Sequence, residues 1–205
     1  TNNTIAIKNN GTLWSWGDNT YGQLGDGTNI NKSVPTLINS ATNWQKIIFS
    51  AGTTFGIKTD GTLWSWGNNN FGQLGDGTTA NKNIPIQIGT ETNWQDINSN
   101  YATTALKNDG TLWAWGWNFY GQLGDGSNIN KSIPTQIGSA SNWYNFTTNG
   151  TSTSALKTNG ELWSWGNNSN GSLGDGTFIS KNEPVKINCP TIYIISGDTK
   201  FDSNN

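Results

Sequence analysis

The chain has 205 residues, of which only 12% are charged, with a net charge of −2 and an isoelectric point near 4.9. It contains no His and a single Cys, which excludes a His-ligated metal, a Ser-His-Asp triad and an internal disulfide. All cationic residues are dispersed lysines, which we interpret as a solvated rim. Because a nucleic-acid surface normally shows a basic patch, we expect no nucleic-acid partner. No run of about 18 apolar residues is present, so no membrane span is expected.

One heptapeptide recurs along the chain. Gly-Thr-Leu-Trp-Ser-Trp-Gly begins at Gly11 and Gly61, and returns with single changes at Gly110 and Gly160, about 50 residues apart each time. A fixed period of this length is the signature of a repeat protein. The Asn-Gly or Asp-Gly pair that opens each copy predicts a β-hairpin with a type I′ turn, followed by a Leu-Trp-Ser-Trp strand.

The two tryptophans of each copy lie two residues apart and therefore share one face of their strand. We expect them to form the core between stacked sheets, and the alternative is an exposed ladder that stacks sugars or bases. These eight residues are Trp14, Trp16, Trp64, Trp66, Trp113, Trp115, Trp163 and Trp165.

Each unit contains four short alternating segments, which is typical of a β-propeller blade. We therefore predict an all-β fold with almost no helix. The predicted units are residues 1–43 (without a first strand), 44–93, 94–142 and 143–190, followed by an extra strand and disordered tail at 191–205. Four units form an open arc or part of a larger propeller. A four-bladed ring, or two chains that share eight blades, is the alternative.

A second motif, Gly-Gln-Leu-Gly-Asp-Gly, follows each hairpin, with Ser in place of Gln in the fourth copy. Its aspartate is either a calcium ligand or the cap of an Asx turn. Calcium needs several oxygen ligands at short spacing, and each loop has one carboxylate, so we favour the turn and expect no metal or cofactor. The aspartates are Asp26, Asp76, Asp125 and Asp175.

Trp-Ser-Trp-Gly followed by Gly-Gln-Leu-Gly, once per unit, resembles the repeat of the regulator-of-chromosome-condensation (RCC1-like) family. The resemblance covers about residues 1–190 and implies a seven-bladed β-propeller, of which four units are present. Members include guanine-nucleotide exchange factors, chromatin binders, ultraviolet-B receptors and secreted inhibitors of β-lactamases. The basic segments and the Gly-Trp-Arg-His-Thr motif that serve two of these functions are absent here. The Gly-Asp-Gly variant and the Arg-free, Asn-rich composition are similar to bacterial members.

One loop departs from the other three. The third unit has Trp117 and Phe119 where the other units have small polar residues, and Tyr120 follows them. Because binding residues concentrate on loops and exposed aromatic residues anchor interfaces, our hypothesis is that these three residues anchor a protein or a glycan. Tyr21 and Phe71, at the position of Tyr120 in earlier units, complete the candidate set. The alternative is that these rings only pack onto the next blade.

The sequence thus predicts a non-enzymatic scaffold for protein–protein recognition, from a secreted or surface bacterial protein. One alternative is a glycan-binding or carbohydrate-active propeller, and catalysis there would need two carboxylates that converge on one pocket. A guanine-nucleotide exchange factor-like activity is a further alternative.

Overall fold

The computed structural model describes residues 2–188, and the predicted extra strand and tail at 191–205 lie outside that range. Within it the chain forms fifteen strands and no helix, as the sequence predicts. The strands are β1 (Asn3–Ile7), β2 (Leu13–Gly17), β3 (Lys32–Leu37), β4 (Trp44–Ser50), β5 (Thr53–Lys58), β6 (Leu63–Gly67), β7 (Lys82–Gln87), β8 (Trp94–Asn100), β9 (Ala102–Lys107), β10 (Leu112–Gly116), β11 (Lys131–Gln136), β12 (Trp143–Thr148), β13 (Ser152–Lys157), β14 (Leu162–Gly166) and β15 (Lys181–Lys186).

The strands form four antiparallel sheets, each made by one consecutive stretch of chain. The first sheet has the order β1-β2-β3, and the others have the orders β4-β5-β6-β7, β8-β9-β10-β11 and β12-β13-β14-β15. The last strand of each sheet is an edge strand and contains a proline, whose missing N–H costs no ladder bond there. These sheets are the blades of an open or partial propeller, and the exact unit boundaries remain predictions.

The hairpin turn before each Trp-x-Trp strand is not the predicted type I′ turn. Gly61 N donates to Lys58 O at 2.9 Å, and Gly61 has a φ of 77°. Asp60 does not share this positive φ, because the non-glycine residues with positive φ in the described chain are Ala51 and Tyr101. The carboxylate of Asp60 instead accepts the N–H of Thr62 at 3.0 Å. An Asx contact therefore holds a type I turn followed by a glycine bulge.

Tryptophans from two strands of one blade pack together against the preceding blade. Trp66 is fully buried and lies 5.8 Å from Trp44, which in turn lies 6.1 Å from Trp64. Trp44, Trp66 and Leu13 of the preceding blade share one hydrophobic cluster. Trp115 and Trp165 are equally buried, whereas Trp14, Trp16, Trp64, Trp113 and Trp163 are partly exposed. The indoles at Trp44, Trp94 and Trp143 are thus core residues that our sequence analysis did not name, although an Asn-Trp pair recurs at each.

The interpretation of the lysines as a solvated rim is wrong for Lys107. Lys107 is only 5% exposed, and its ammonium group lies 3.9 Å from the ring centroid of Trp113 and 4.6 Å from that of Trp94. Lys8, Lys58 and Lys157 lie over the equivalent rings of their blades. These cations are attracted to the indole faces while their alkyl stems cover apolar surface.

The first strands of the complete blades, β4, β8 and β12, line a cavity of about 440 Å³ together with residues 154–156 of β13. The ion pair between Lys46 and Asp96 joins two of these strands. Within residues 2–188 there is no helix with the length and apolar character needed to cross a membrane.

Candidate functional site

Each Gly-Asp-Gly loop is organised around one buried asparagine. In the second blade the Asn69 amide donates to Asp76 at 3.0 Å and to the Thr78 carbonyl at 3.0 Å, and its oxygen accepts the N–H of Leu74 at 2.9 Å. Asp76 Oδ1 also accepts the N–H of Thr78 at 3.0 Å. Asn19, Asn118 and Asn168 make the same contacts in their blades. The Asx-turn interpretation of these aspartates is therefore confirmed.

A lysine completes the loop by pairing with the second carboxylate oxygen. The distance from Lys82 Nζ to Asp76 Oδ2 is 3.2 Å, and the equivalent pairs in the other blades span 3.0–3.7 Å. Burial raises the pKa of Asp76, but the hydrogen bonds from Thr78, Lys82 and Asn69 outweigh it and hold the pKa below its ordinary value. Both carboxylate oxygens thus have partners within the protein. Nowhere in the described chain do three His, Cys, Asp or Glu side chains come together.

The same loop joins each blade to the next. The carbonyl of Gln73 accepts the indole N–H of Trp115 at 2.8 Å and the hydroxyl of Thr103 at 3.0 Å. A Cβ added to Gly75 would lie 2.8 Å from Nε1 of Trp115, so glycine is required where the loop meets the indole. Packing between blades therefore explains Gly75 without a ligand.

Four of the five predicted partner-binding residues meet at the junction of the second and third blades. Trp117 lies 5.9 Å from Phe71, 6.5 Å from Phe119 and 5.6 Å from Tyr120, measured between ring centroids. Tyr101, at the turn between β8 and β9, packs edge-on against Phe71 at 5.8 Å. We call these five residues, Phe71, Tyr101, Trp117, Phe119 and Tyr120, the aromatic patch.

The aromatic patch is in part open to solvent. Phe119 is 66% exposed and Tyr101 is 39% exposed, while Phe71, Trp117 and Tyr120 are half-buried. The fifth predicted residue, Tyr21, lies instead over Gly52 at the junction of the first and second blades. The patch therefore both packs between blades and exposes rings to solvent, and its role in binding remains a prediction.

Trp117 replaces a residue that caps its loop in the other three blades. Asp18 accepts the N–H of the residue two positions later at 3.1 Å, Asn68 does so at 3.0 Å and Asn167 at 2.8 Å. An indole has no acceptor, so Trp117 cannot bond the N–H of Phe119 in this way. The third loop thus lacks a hydrogen bond that contributes about 0.5–1.5 kcal/mol elsewhere.

Tyr101 adds a second local cost at the same place. It has a φ of 65°, and its carbonyl accepts the N–H of Trp117 at 3.1 Å, the role that Gly52 plays toward Asn68. A non-glycine residue in the left-handed region costs about 1–2 kcal/mol. Tyr101 was not predicted from the sequence, although an aromatic residue at the position of the turn glycine Gly52 is a visible signal.

The profile of the regulator of chromosome condensation (RCC1) repeat matches residues 10–57, 60–102, 109–148 and 159–199. The structure of human WBSCR16 has a TM-score of 0.78 at 23% identity, over 95% of this chain and 53% of that one. Prp20p of Saccharomyces cerevisiae also gives 0.78, at 20% identity over 92% of this chain and 49% of that one. This chain thus spans about half of each solved structure.

A segment of 52 residues is also 38% identical to the E3 ubiquitin-protein ligase HERC2 of Mus musculus, and it spans 25% of this chain and 1% of that protein. The fold likeness and the four repeat matches agree with the blade-by-blade construction described above. This chain belongs to the regulator of chromosome condensation (RCC1) repeat family.

Proposed function

We propose that this chain is a non-enzymatic module for protein recognition, and that it binds its partner through the aromatic patch. The observation that carries the proposal is the position of Trp117. Of the twelve tryptophans, eight belong to the four hairpins and three to the first strands β4, β8 and β12, which leaves Trp117 without a counterpart in any other blade. The repeat pattern accounts for the positions of these eleven tryptophans, but it does not account for Trp117.

The local costs at this junction support the same proposal. The third loop lacks the side-chain hydrogen bond that caps the other three loops. Beside it, Tyr101 occupies a left-handed backbone conformation. Local strain of this kind clusters at functional sites, where surrounding structure sustains it. Exposed Trp, Tyr and Phe rings also supply large contact area with few rotatable bonds, as in binding loops of antibodies.

Structural relatives add support from their own partners. Prp20p of Saccharomyces cerevisiae has binding properties toward Gsp1p and histones, and yeast Prp20 has been crystallised with Kap60. These partners belong to those proteins, and the present chain shares with them the propeller scaffold. We infer that this chain uses the scaffold in the same general way, to position loops that bind other proteins.

The test replaces two residues of the third loop with their counterparts in the fourth. Trp117→Asn with Phe119→Ser recreates the Asn and Ser of the loop at residues 167–169 and restores a side-chain cap. The control is Phe178→Asn, which removes a ring that is 72% exposed on the fourth blade, outside the patch. In the double variant the restored cap offsets part of the lost ring contacts with Phe71 and Tyr120. The melting temperatures of both variants establish that they are folded before binding is compared.

Proteins captured from the native host's extract are compared for the three forms by quantitative mass spectrometry, with a glycan array in parallel. We expect one set of proteins to be retained by the wild type and the control and lost by the double variant. Equal retention by all three forms would refute the proposal. If the double variant loses only binding to glycans on the array, glycan binding would replace protein recognition as the proposed function.

A further inference from the structure

The link that enters each complete blade lies beside the indole of its first strand and the lysine of its second. In the second blade the side chain of Asn39 occupies this place. Its oxygen accepts the N–H of Ala41 at 3.0 Å and the indole N–H of Trp44 at 3.4 Å. The ammonium group of Lys58 lies 4.9 Å from the centroid of the Trp44 ring. An oxygen acceptor therefore lies beside a backbone N–H, an indole N–H and a lysine.

The third blade fills the same place with a carboxylate. Gly89 stands at the position of Asn39, and a Cβ added to Gly89 would overlap Oε2 of Glu91. Oε1 of Glu91 lies 3.5 Å from Nζ of Lys107, whose ammonium group lies over the Trp94 ring. The hydrogen bond from its own backbone N–H, together with the charge of Lys107, holds the pKa of Glu91 below its ordinary value against the effect of burial. These two contacts suffice, since the indole N–H of Trp94 has no partner among the described residues.

The fourth blade has no oxygen at this place. Gly138 stands at the position of Asn39, and a Cβ added to Gly138 would meet no atom within 4 Å. Ala140 stands at the position of Glu91 and carries no charge. The place that a side-chain oxygen fills in the two preceding blades is therefore open in the fourth.

The donors around this place are nevertheless retained. The ammonium group of Lys157 lies 4.8 Å from the ring centroid of Trp143, as the equivalent lysines do at 4.6–4.9 Å in the other two blades. The buried indole N–H of Trp143 has no hydrogen-bond partner within residues 2–188. The N–H of Ala140 has none in that range either, whereas its counterparts donate to Asn39 and Glu91. The fourth blade thus presents three donors without the acceptor that the other blades supply.

The charges near Lys157 also favour an anion. In the third blade Asp109 places a second negative charge near the equivalent lysine, and Asn159 takes its position in the fourth. The carboxylate on the same hairpin, that of Glu161, is paired with Lys186. Among the described residues Lys157 forms no ion pair. Its positive charge is therefore left for a ligand.

We propose that the fourth blade binds a carboxylate group between the Lys157 ammonium group, the Ala140 N–H and the Trp143 indole N–H, which we call the carboxylate site. The occupant follows from Glu91, whose carboxylate fills the equivalent place in the third blade. The site lies at the link between the third and fourth blades, so it belongs to an internal junction of the described chain. This inference does not depend on the aromatic patch.

The test follows the Trp143 indole and Ala140 amide resonances by NMR of the full chain as sodium acetate is added, with sodium chloride at the same ionic strength as the reference. We expect both resonances to shift saturably with acetate and not with chloride. Lys157→Met removes the charge but keeps a long side chain over the indoles, and should weaken acetate binding roughly tenfold or more, as expected for a hydrogen bond to a charged group. Lys58→Met is the matched control, because Asn39 already fills the place beside Lys58, and it should bind acetate as the wild type does.

Two exchanges between blades should move the site. Ala140→Glu gives the fourth blade its own carboxylate and should abolish the acetate response of Trp143. Glu91→Ala empties the equivalent place in the third blade and should create a second response, at the indole of Trp94. A wild type without a saturable shift, an equal shift with chloride, or an unchanged response in Ala140→Glu overturns the proposal. The absence of a new response in Glu91→Ala does so too, because the comparison with Glu91 would then fail.

The source of the carboxylate is distinguished with a blocked Gly-Glu-Gly peptide and its Gly-Gln-Gly counterpart. A response to the Glu peptide alone shows that the site accepts an acidic side chain of another protein. A response to acetate without one to the Glu peptide supports the site and restricts it to small free acids, whereas equal responses to both peptides overturn the proposal. The Trp117→Asn, Phe119→Ser variant should keep the acetate response, so failure here is separable from failure of the proposed binding function.

Discussion

The indole N–H of Trp115 lies 2.8 Å from the carbonyl oxygen of Gln73, 42 residues earlier in the chain and in the preceding blade. The two atoms are buried, and the Thr103 hydroxyl shares the same acceptor at 3.0 Å. Because a buried polar group without a partner is costly, this bond fixes how far one blade is rotated on the next. Core packing alone, which is not directional, would leave that rotation less defined.

Replacing Trp115 with Phe should destabilise the protein by about 2–4 kcal/mol, through the lost hydrogen bond and the space left by the smaller ring. Urea unfolding followed by circular dichroism measures the change. Trp117→Phe is the control, because the aromatic patch uses that ring for contacts only. Equal stability of the two variants would contradict the role assigned to the indole N–H.

Two glycines of one loop separate backbone strain from packing. Gly75 and Gly77 both have a φ of 82°, so Ala at either should cost about 1–2 kcal/mol. Only at Gly75 would the new Cβ approach the Trp115 indole, at 2.8 Å, whereas at Gly77 it would lie 3.8 Å from Ile133. We expect Gly75→Ala to be less stable than Gly77→Ala by roughly 1–3 kcal/mol, the cost of overpacking. Equal melting temperatures would show that the Trp115 indole can move to accommodate the added Cβ at little cost.

The sequence predicted the blades because each of their signals is local. Paired indoles two residues apart, a glycine turn before them and a proline in the edge strand all act within one unit, and the repetition reports each signal four times. The turn type was predicted wrongly because Asp60 can either adopt positive φ or cap the turn with its carboxylate. In the structure Asp60 caps the turn, because its carboxylate then accepts a hydrogen bond from the N–H of Thr62.

The candidate site was only partly visible because its contacts cross between units. Nothing local to Trp117 indicates that it meets Phe71, which lies in another blade. Tyr101 joins the patch through a backbone conformation that sequence patterns do not report. Lys107 was misassigned for a similar reason, because its burial depends on tryptophans from two strands.

Acid should weaken the loops through their aspartates. The pKa of Asp76 is lowered in the folded protein, so the unfolded chain binds more protons around the unfolded value of about 3.9. The stabilisation is present above that value and is lost as the pH falls through the lower folded pKa. Asp76→Asn should therefore show a smaller loss of stability in this window than the wild type, in urea titrations at each pH. An unchanged pH dependence would mean that Asp76 contributes nothing to acid unfolding.

Two neighbouring asparagines of the second loop should respond in opposite directions to the same substitution. Asn69 donates to Asp76 at 3.0 Å from a buried position, so Asn69→Asp would set two carboxylates against each other. We expect a loss of several kcal/mol at neutral pH. Because the like charge raises the pKa of the introduced group, part of that loss should be recovered as the pH is lowered.

Asn68→Asp is the matched counterpart and should stabilise the protein. The buried Nε2 of Gln73 has no hydrogen-bond partner among the described residues. In the first blade the corresponding amide, on Gln23, donates to Asp18 at 3.0 Å, and Asp18 occupies the position of Asn68. A carboxylate at position 68 offers the second acceptor that an amide lacks, while it keeps the cap on the N–H of Asn70. We expect a gain of about 1 kcal/mol in urea unfolding at neutral pH, and a loss instead would show that burying the added charge outweighs the new hydrogen bond.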